Sequence, residues 1–163
     1  MRQDRFLLGI LAGIGVLVVL AVGLFFLRRG TLEYGPDSTP DGVVRNYIVA
    51  LKKNDYERAF SYMAKMDPPA DYLTYQQSFY PQASEIASTG VEIGQVTITG
   101  NDALVQISLL QGNNGLFSES YRNEQVANLT LEGGSWKIQQ MPYPFWNYAW
   151  VPTVKAQPAP ANP

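Results

Sequence analysis

The sequence predicts an α+β protein: one N-terminal transmembrane helix, then a domain of about three helices packed on an antiparallel sheet of about four strands. Three observations lead there. Phe6 to Leu27 is an apolar run of 22 residues with no charge. Between Pro40 and Phe79 the apolar residues recur at helical spacing, and after Gly90 their period changes to two.

The apolar run explains itself by length. At 1.5 Å per residue a helix of 22 residues spans about 33 Å, enough for a hydrocarbon core of roughly 30 Å. Arg5 closes one end and Arg28-Arg29 the other. A cleaved signal peptide has a shorter apolar stretch and a small-residue cleavage site, so the run reads as a retained anchor. Basic residues flank both ends in similar number, so the positive-inside rule separates the two orientations weakly. The five-residue N-terminal tail fits a signal-anchor, and the lack of cysteine suits an oxidising compartment. Both point to a membrane-bound protein whose domain is extracytoplasmic. Gly9 and Gly13 form a GxxxG pair that could pack two anchors into a homodimer.

The predicted organisation is a tail over 1–5, the transmembrane helix over 6–27, a linker over 28–38, a domain over 39–152 and a Pro/Ala-rich disordered end over 153–163. Setting aside Arg2, Asp4, Arg5, Arg28 and Arg29 leaves eight basic and thirteen acidic residues, a net charge of −5. No basic stripe remains to neutralise phosphates, which excludes nucleic acid as a partner.

Within the domain, Ser38-Thr39-Pro40-Asp41 is a helix start: a hydroxyl cap, proline in the first turn and an acid at the positive end of the helix dipole. Val44, Tyr47, Ile48 and Leu51 then make one apolar stripe, and Lys52-Lys53-Asn54 ends it. Asp55 caps a second helix with Tyr56, Ala59, Phe60 and Met63 on one face, broken by Asp67-Pro68-Pro69. A third helix is expected from Asp71 to Phe79, with Tyr72, Tyr75, Phe79 and Tyr80 on its buried side. In the first strand Val91 and Ile93 alternate out of phase with Val96 and Ile98, which predicts a β-bulge at Gly94-Gln95. Gly100-Asn101-Asp102 turns into a strand with Val105, Ile107 and Leu109 on one face. Gly112-Asn113-Asn114-Gly115 turns into a long strand from Leu116 to Leu131, and Glu132-Gly133-Gly134-Ser135 turns into Trp136-Lys137-Ile138. Helices grouped before a meander imply packing on one face of the sheet.

The stretch Thr39 to Phe60, with Asn54-Asp55-Tyr56-Glu57-Arg58-Ala59 at its centre, resembles the opening of the nuclear transport factor 2-like superfamily, also called SnoaL-like or ketosteroid-isomerase-like. Gly134-Ser135-Trp136-Lys137-Ile138 resembles the closing strand of those domains. The resemblance covers about 39–150 and implies a cone: a strongly curved sheet wrapped round the helices, often with an interior pocket. Membrane-anchored extracytoplasmic members are common, and some bacterial secretion-system scaffold proteins share the layout of one anchor and one such domain. The cone hosts enzymes, binders and scaffolds alike, so it does not by itself assign function.

The chain has neither histidine nor cysteine, which removes Ser-His-Asp and Cys-His arrangements, thiolate chemistry and ordinary zinc sites. No catalytic residue, cofactor or metal site is expected. An isomerase-like pair would need Glu119 as base with Tyr47, Tyr62 or Tyr121 holding the oxyanion. Glu119 and Tyr121 share a strand face, but the polar residues around them read better as a wet face. Asn128-Leu129-Thr130 matches a glycosylation acceptor inside a strand, and Asn101-Asp102 and Asn113-Asn114 are explained by turn chemistry.

Tyr143, Phe145, Trp146, Tyr148 and Trp150 crowd five rings between Pro142 and Pro152. They can dock a protein partner, sit at lipid headgroups, wall a pocket or cover the mouth of the fold. Burial of Trp146 and Trp150 would defeat the docking reading. The expectation is a non-enzymatic membrane-anchored interaction or scaffold domain, an accessory subunit touching the lipid bilayer and a protein partner. The alternatives are a binder of a small apolar ligand in the cone and an isomerase or hydrolase.

Overall fold

The computed structural model describes residues 3–28, 32–111 and 121–151, with side chains over 9–23, 32–110 and 122–151. The chain forms two units, 1–33 and 34–163. In the first, helix α1 runs without interruption over Gln3–Arg28. The span expected at Phe6–Leu27 extends beyond the described side chains at both ends. Among the described residues, no helix is long and apolar enough to cross a membrane. Gly9 and Gly13 lie one turn apart on α1 with open space where a Cβ would stand.

In the second unit, α2 (Pro40–Lys52) starts where the sequence places it. Thr39 Oγ1 accepts the Gly42 N–H, and Pro40 occupies the first helical position. Asn54 takes the left-handed conformation at φ 58° and the Asp55 N–H closes onto the Ala50 carbonyl, which ends the helix. Gly42 is required there because a Cβ would lie 2.3 Å from the Pro36 carbonyl oxygen. The incoming chain is also tied by Asn46, fully buried, whose amide exchanges two hydrogen bonds of 2.8 Å with the backbone of Gly35.

Asp55 caps α3 (Tyr56–Ser61) and Asp71 caps α4 (Tyr72–Phe79). Two differences from the expected helices have a tertiary cause. Helix α3 stops at Ser61 instead of continuing through Met63. The next residues pair with the sheet: the Ile138 N–H donates to the Tyr62 carbonyl and the Ala64 N–H to the Ile138 carbonyl, both at 2.8 Å, in a short parallel bridge. Among the described residues the domain also has four α-helices rather than three. A 3-10 turn at Tyr80–Gln82 leads into α5 (Ala83–Ser88), which buries Ile86. Pro81 sits in that turn as a helix-start residue and does not end the helical region.

The sheet is a meander of β1 (Gly90–Thr99), β2 (Asp102–Gln111), β3 (Tyr121–Glu132) and β4 (Ser135–Gln140), all antiparallel, in the order β1-β2-β3-β4. The bulge lies between Ile93 and Val96, where the phase slip predicts it. A second irregularity, between Asn128 and Leu129, was not anticipated. The part of the third strand expected over 116–120, with Glu119, lies outside the described residues, as does the Asn113-Asn114 turn. Ala103, Val105, Ile107 and Leu109, with Ala127, Leu129 and Ile138, face the helices and are buried. Leu104, Gln106 and Val126 face outward. Each large aliphatic side chain so buried contributes about 1.5–3 kcal/mol, and the helices therefore cover one face of the sheet.

Candidate binding site

The segment after β4 folds back over the helices. The carbonyl of Phe145 accepts the phenol of Tyr47 at 3.0 Å, linking Met141–Val151 to the middle of α2. Asn147 locks the last turn: its Nδ2 donates to the Ser78 carbonyl at 3.1 Å, and its Oδ1 accepts the Ala149 N–H at 2.9 Å, capping the 3-10 turn Tyr148–Trp150. Trp150 then meets Trp146 edge-on at 4.7 Å between centroids and Tyr75 edge-on at 5.1 Å, and Tyr75 continues to Phe79 and Phe60. Burial pushes the Tyr47 phenol well above its ordinary range, opposed in part by the Tyr75 hydroxyl that donates to it at 3.3 Å. Burial also raises Tyr75, reinforced by Tyr47.

This packing divides the five rings between Pro142 and Pro152. Phe145, Trp146 and Trp150 are 0%, 4% and 3% exposed, so a partner cannot dock on the two tryptophans. The cause is the return of the chain over Tyr75, which the linear sequence does not reveal. Tyr143 and Tyr148 remain exposed. The Tyr143 phenol donates to the Glu85 carboxylate, which raises its pKa, and Gln140 Nε2 donates to the Tyr148 hydroxyl. Tyr47 and Tyr62, named as oxyanion holders, have separate surroundings: Tyr47 is committed to Phe145, while Tyr62 accepts a hydrogen bond from Arg58 Nε at 3.3 Å. Tyr75 and Phe79 are fully buried as expected for a helix face, whereas Tyr80 is exposed.

Trp150 retains one pocket role. Beside it opens a cavity of about 300 Å³, mostly apolar, lined by Phe60, Met63, Met66, Pro69, Ala70 and Trp150 with Lys65 and Ala64 at its edge. The indole N–H groups of Trp146 and Trp150 are buried and donate to no described residue. A second cavity, about 370 Å³ and polar, lies on the other side of α3 between Arg58 and Lys137. Sequence reasoning assigned neither set. Met63 and Met66 beside Pro68-Pro69 read locally as the end of a helix, and Lys137 as one more exposed strand position. Among the described residues, no three His, Cys, Asp or Glu side chains gather as a metal site would require.

No protein-family model matches the sequence, and no curated protein matches it. Solved structures of similar shape include a SEC-C motif-containing protein of Rhodopseudomonas palustris, at TM-score 0.46 and 10% identity, covering 65% of this chain and 79% of that one. A candidate nuclear transport factor 2-like transpeptidase of Campylobacter jejuni aligns at TM-score 0.43 and 17% identity, covering 63% and 99%. A cystatin-fold protein of Novosphingobium aromaticivorans aligns at 0.40 and 16%, covering 64% and 97%.

Proposed function

We propose that this chain is a membrane-tethered, non-enzymatic interaction domain of the nuclear transport factor 2-like cone type, an accessory subunit held at the bilayer by α1. The observation that carries the reading is the coincidence of the uncharged run Phe6–Leu27 with the unbroken helix Gln3–Arg28, whose 26 residues make about 39 Å of helix. The meander with helices on one face supports the cone. The commitment of Tyr47 to the Phe145 carbonyl, in a chain without histidine, supports a binding role over an acid–base one. The domain lies outside the cytoplasm in this reading, and the protein partner meets a surface other than Trp146 and Trp150. Alkaline carbonate should leave the full chain in the membrane pellet, and a tag at Pro163 should recover a stoichiometric partner from mild detergent. Release by carbonate would defeat the anchor; recovery of the chain alone would defeat the subunit. A C-terminal reporter active only in the cytoplasm should stay dark.

The apolar cavity favours a second reading, a small apolar ligand held against Phe60, Met63, Met66 and Trp150. A Met66→Glu variant should lose a co-purifying lipid or hydrophobic compound that native mass spectrometry finds on the wild type.

A further inference from the structure

The polar cavity beside α3 carries chemistry that neither reading uses. Arg58 reaches it from α3 and is held in place on two sides. Its guanidinium carbon stands 3.5 Å from the centre of the Tyr34 ring, and its Nε donates to the Tyr62 hydroxyl at 3.3 Å. Its two terminal amino groups donate to no described residue, and the side chain is exposed, oriented by those two contacts alone. Lys137 comes from β4, opposite. Its ammonium donates one hydrogen bond of 2.7 Å to the Ser61 carbonyl, which orients it and leaves its remaining donors free. The Tyr62 hydroxyl, on a side chain 7% exposed, accepts from Arg58 and donates to no described group.

Three sets of donors therefore line one cavity of about 370 Å³, whose walls include Trp136 and Val43. The charges in the lining are Arg58 and Lys137 against Asp37, a net of +1. Asp55, the other carboxylate near Arg58, lies outside the lining but still acts on Arg58; it accepts the Tyr34 phenol at 2.9 Å and the backbone N–H of Arg58 at 3.2 Å. Neither cation forms an ion pair among the described residues. A guanidinium fork beside an ammonium and a phenol suits a planar, singly charged acceptor. The single excess positive charge of the lining, with the Asp55 carboxylate beside Arg58, disfavours a doubly charged phosphate.

We propose that this cavity binds a small organic monocarboxylate, its carboxylate on Arg58, Lys137 and Tyr62 and its apolar body against Trp136 and Val43. Binding here needs neither the anchor nor the apolar cavity, so it goes beyond the reading given above. The test is titration of the full chain, in neutral detergent micelles and labelled with ¹⁵N-tryptophan, by phenylacetate, phenylacetamide and inorganic phosphate. Trp136→Phe identifies the Trp136 indole signal. The expected result is a saturable shift of that signal with phenylacetate, at least about tenfold weaker with phenylacetamide because the charge-assisted bonds are lost. Arg58→Lys, which keeps the charge and loses the fork, should weaken phenylacetate about tenfold with an unchanged unfolding midpoint. Equal response to the amide, tighter binding of phosphate, or no saturable shift at Trp136 in the wild type would overturn the proposal.

Discussion

Helix α2 and the closing segment Met141–Val151 pack against each other, yet they are built by opposite means. Helix α2 is specified almost entirely by its own residues: a Thr39 cap, Pro40 in the first turn, an apolar stripe and a left-handed Asn54. Deleting any one of these leaves the others. The closing segment has two prolines, Pro142 and Pro144, little regular structure of its own, and only one short 3-10 turn. Its conformation is set by partners distant in sequence, Tyr47, Tyr75 and Ser78. Local and long-range specification therefore meet at one hydrogen bond, from the Tyr47 phenol to the Phe145 carbonyl.

If that contrast is correct, damage to the closing segment costs more than damage to the ends of α2. The largest effect should come from Trp150→Ala, which empties a site shared with Trp146 and Tyr75. Chemical unfolding should show a loss of about 3–5 kcal/mol. Tyr47→Phe keeps the ring and removes the link, leaving the buried Phe145 carbonyl unpaired, and should cost about 1–3 kcal/mol in the same measurement. A smaller loss than Thr39→Ala would break the comparison. Gly42→Ala probes the local side where the chain passes closest. The added Cβ meets the Pro36 carbonyl, and relief requires a backbone shift costing about 1–3 kcal/mol. Thr39→Ala removes only the cap and should cost about 1 kcal/mol.

The smallest effect is electrostatic. The Thr74 hydroxyl and backbone N–H both donate to the Asp71 carboxylate, at 2.7 Å each, and hold its pKa below the usual carboxylate range. A folded pKa lower than the unfolded one means the stabilisation is present above the unfolded value, about 3.9. It is lost as pH falls through the lower folded value. Melting temperatures between pH 2 and 7 should therefore show the wild type's lead over Asp71→Asn largest above about pH 4 and shrinking as pH falls further.

The helix caps Thr39 and Asp55 were legible because each is a short-range event: a side-chain oxygen finds a backbone N–H three residues on. The strands and the bulge at Gly94-Gln95 were legible from period and phase. The stop of α3 at Ser61 was not, because the competing partner is Ile138, far along the chain. Nor was α5, whose six residues carry too little periodic signal. Of the candidate site, the crowding of five rings was legible, but their division into buried and exposed members depends on how the segment turns at Asn147. The two cavities were illegible for the same reason: Arg58 and Lys137 are 79 positions apart, and long-range bonds such as Ile138 to Tyr62 and Lys137 to Ser61 draw α3 alongside β4.

By itself the sequence determined the uncharged run Phe6–Leu27, the order of helices before strands, the caps and the meander, because periodicity and local hydrogen bonding act over a few residues. The absence of histidine and cysteine likewise bounded the available chemistry. Tertiary structure alone decided that Trp146 and Trp150 serve packing while Tyr143 and Tyr148 face solvent, and that Phe60 and Arg58 open onto different cavities. Those outcomes depend on which distant surfaces meet, and burial is a property of the meeting rather than of either residue.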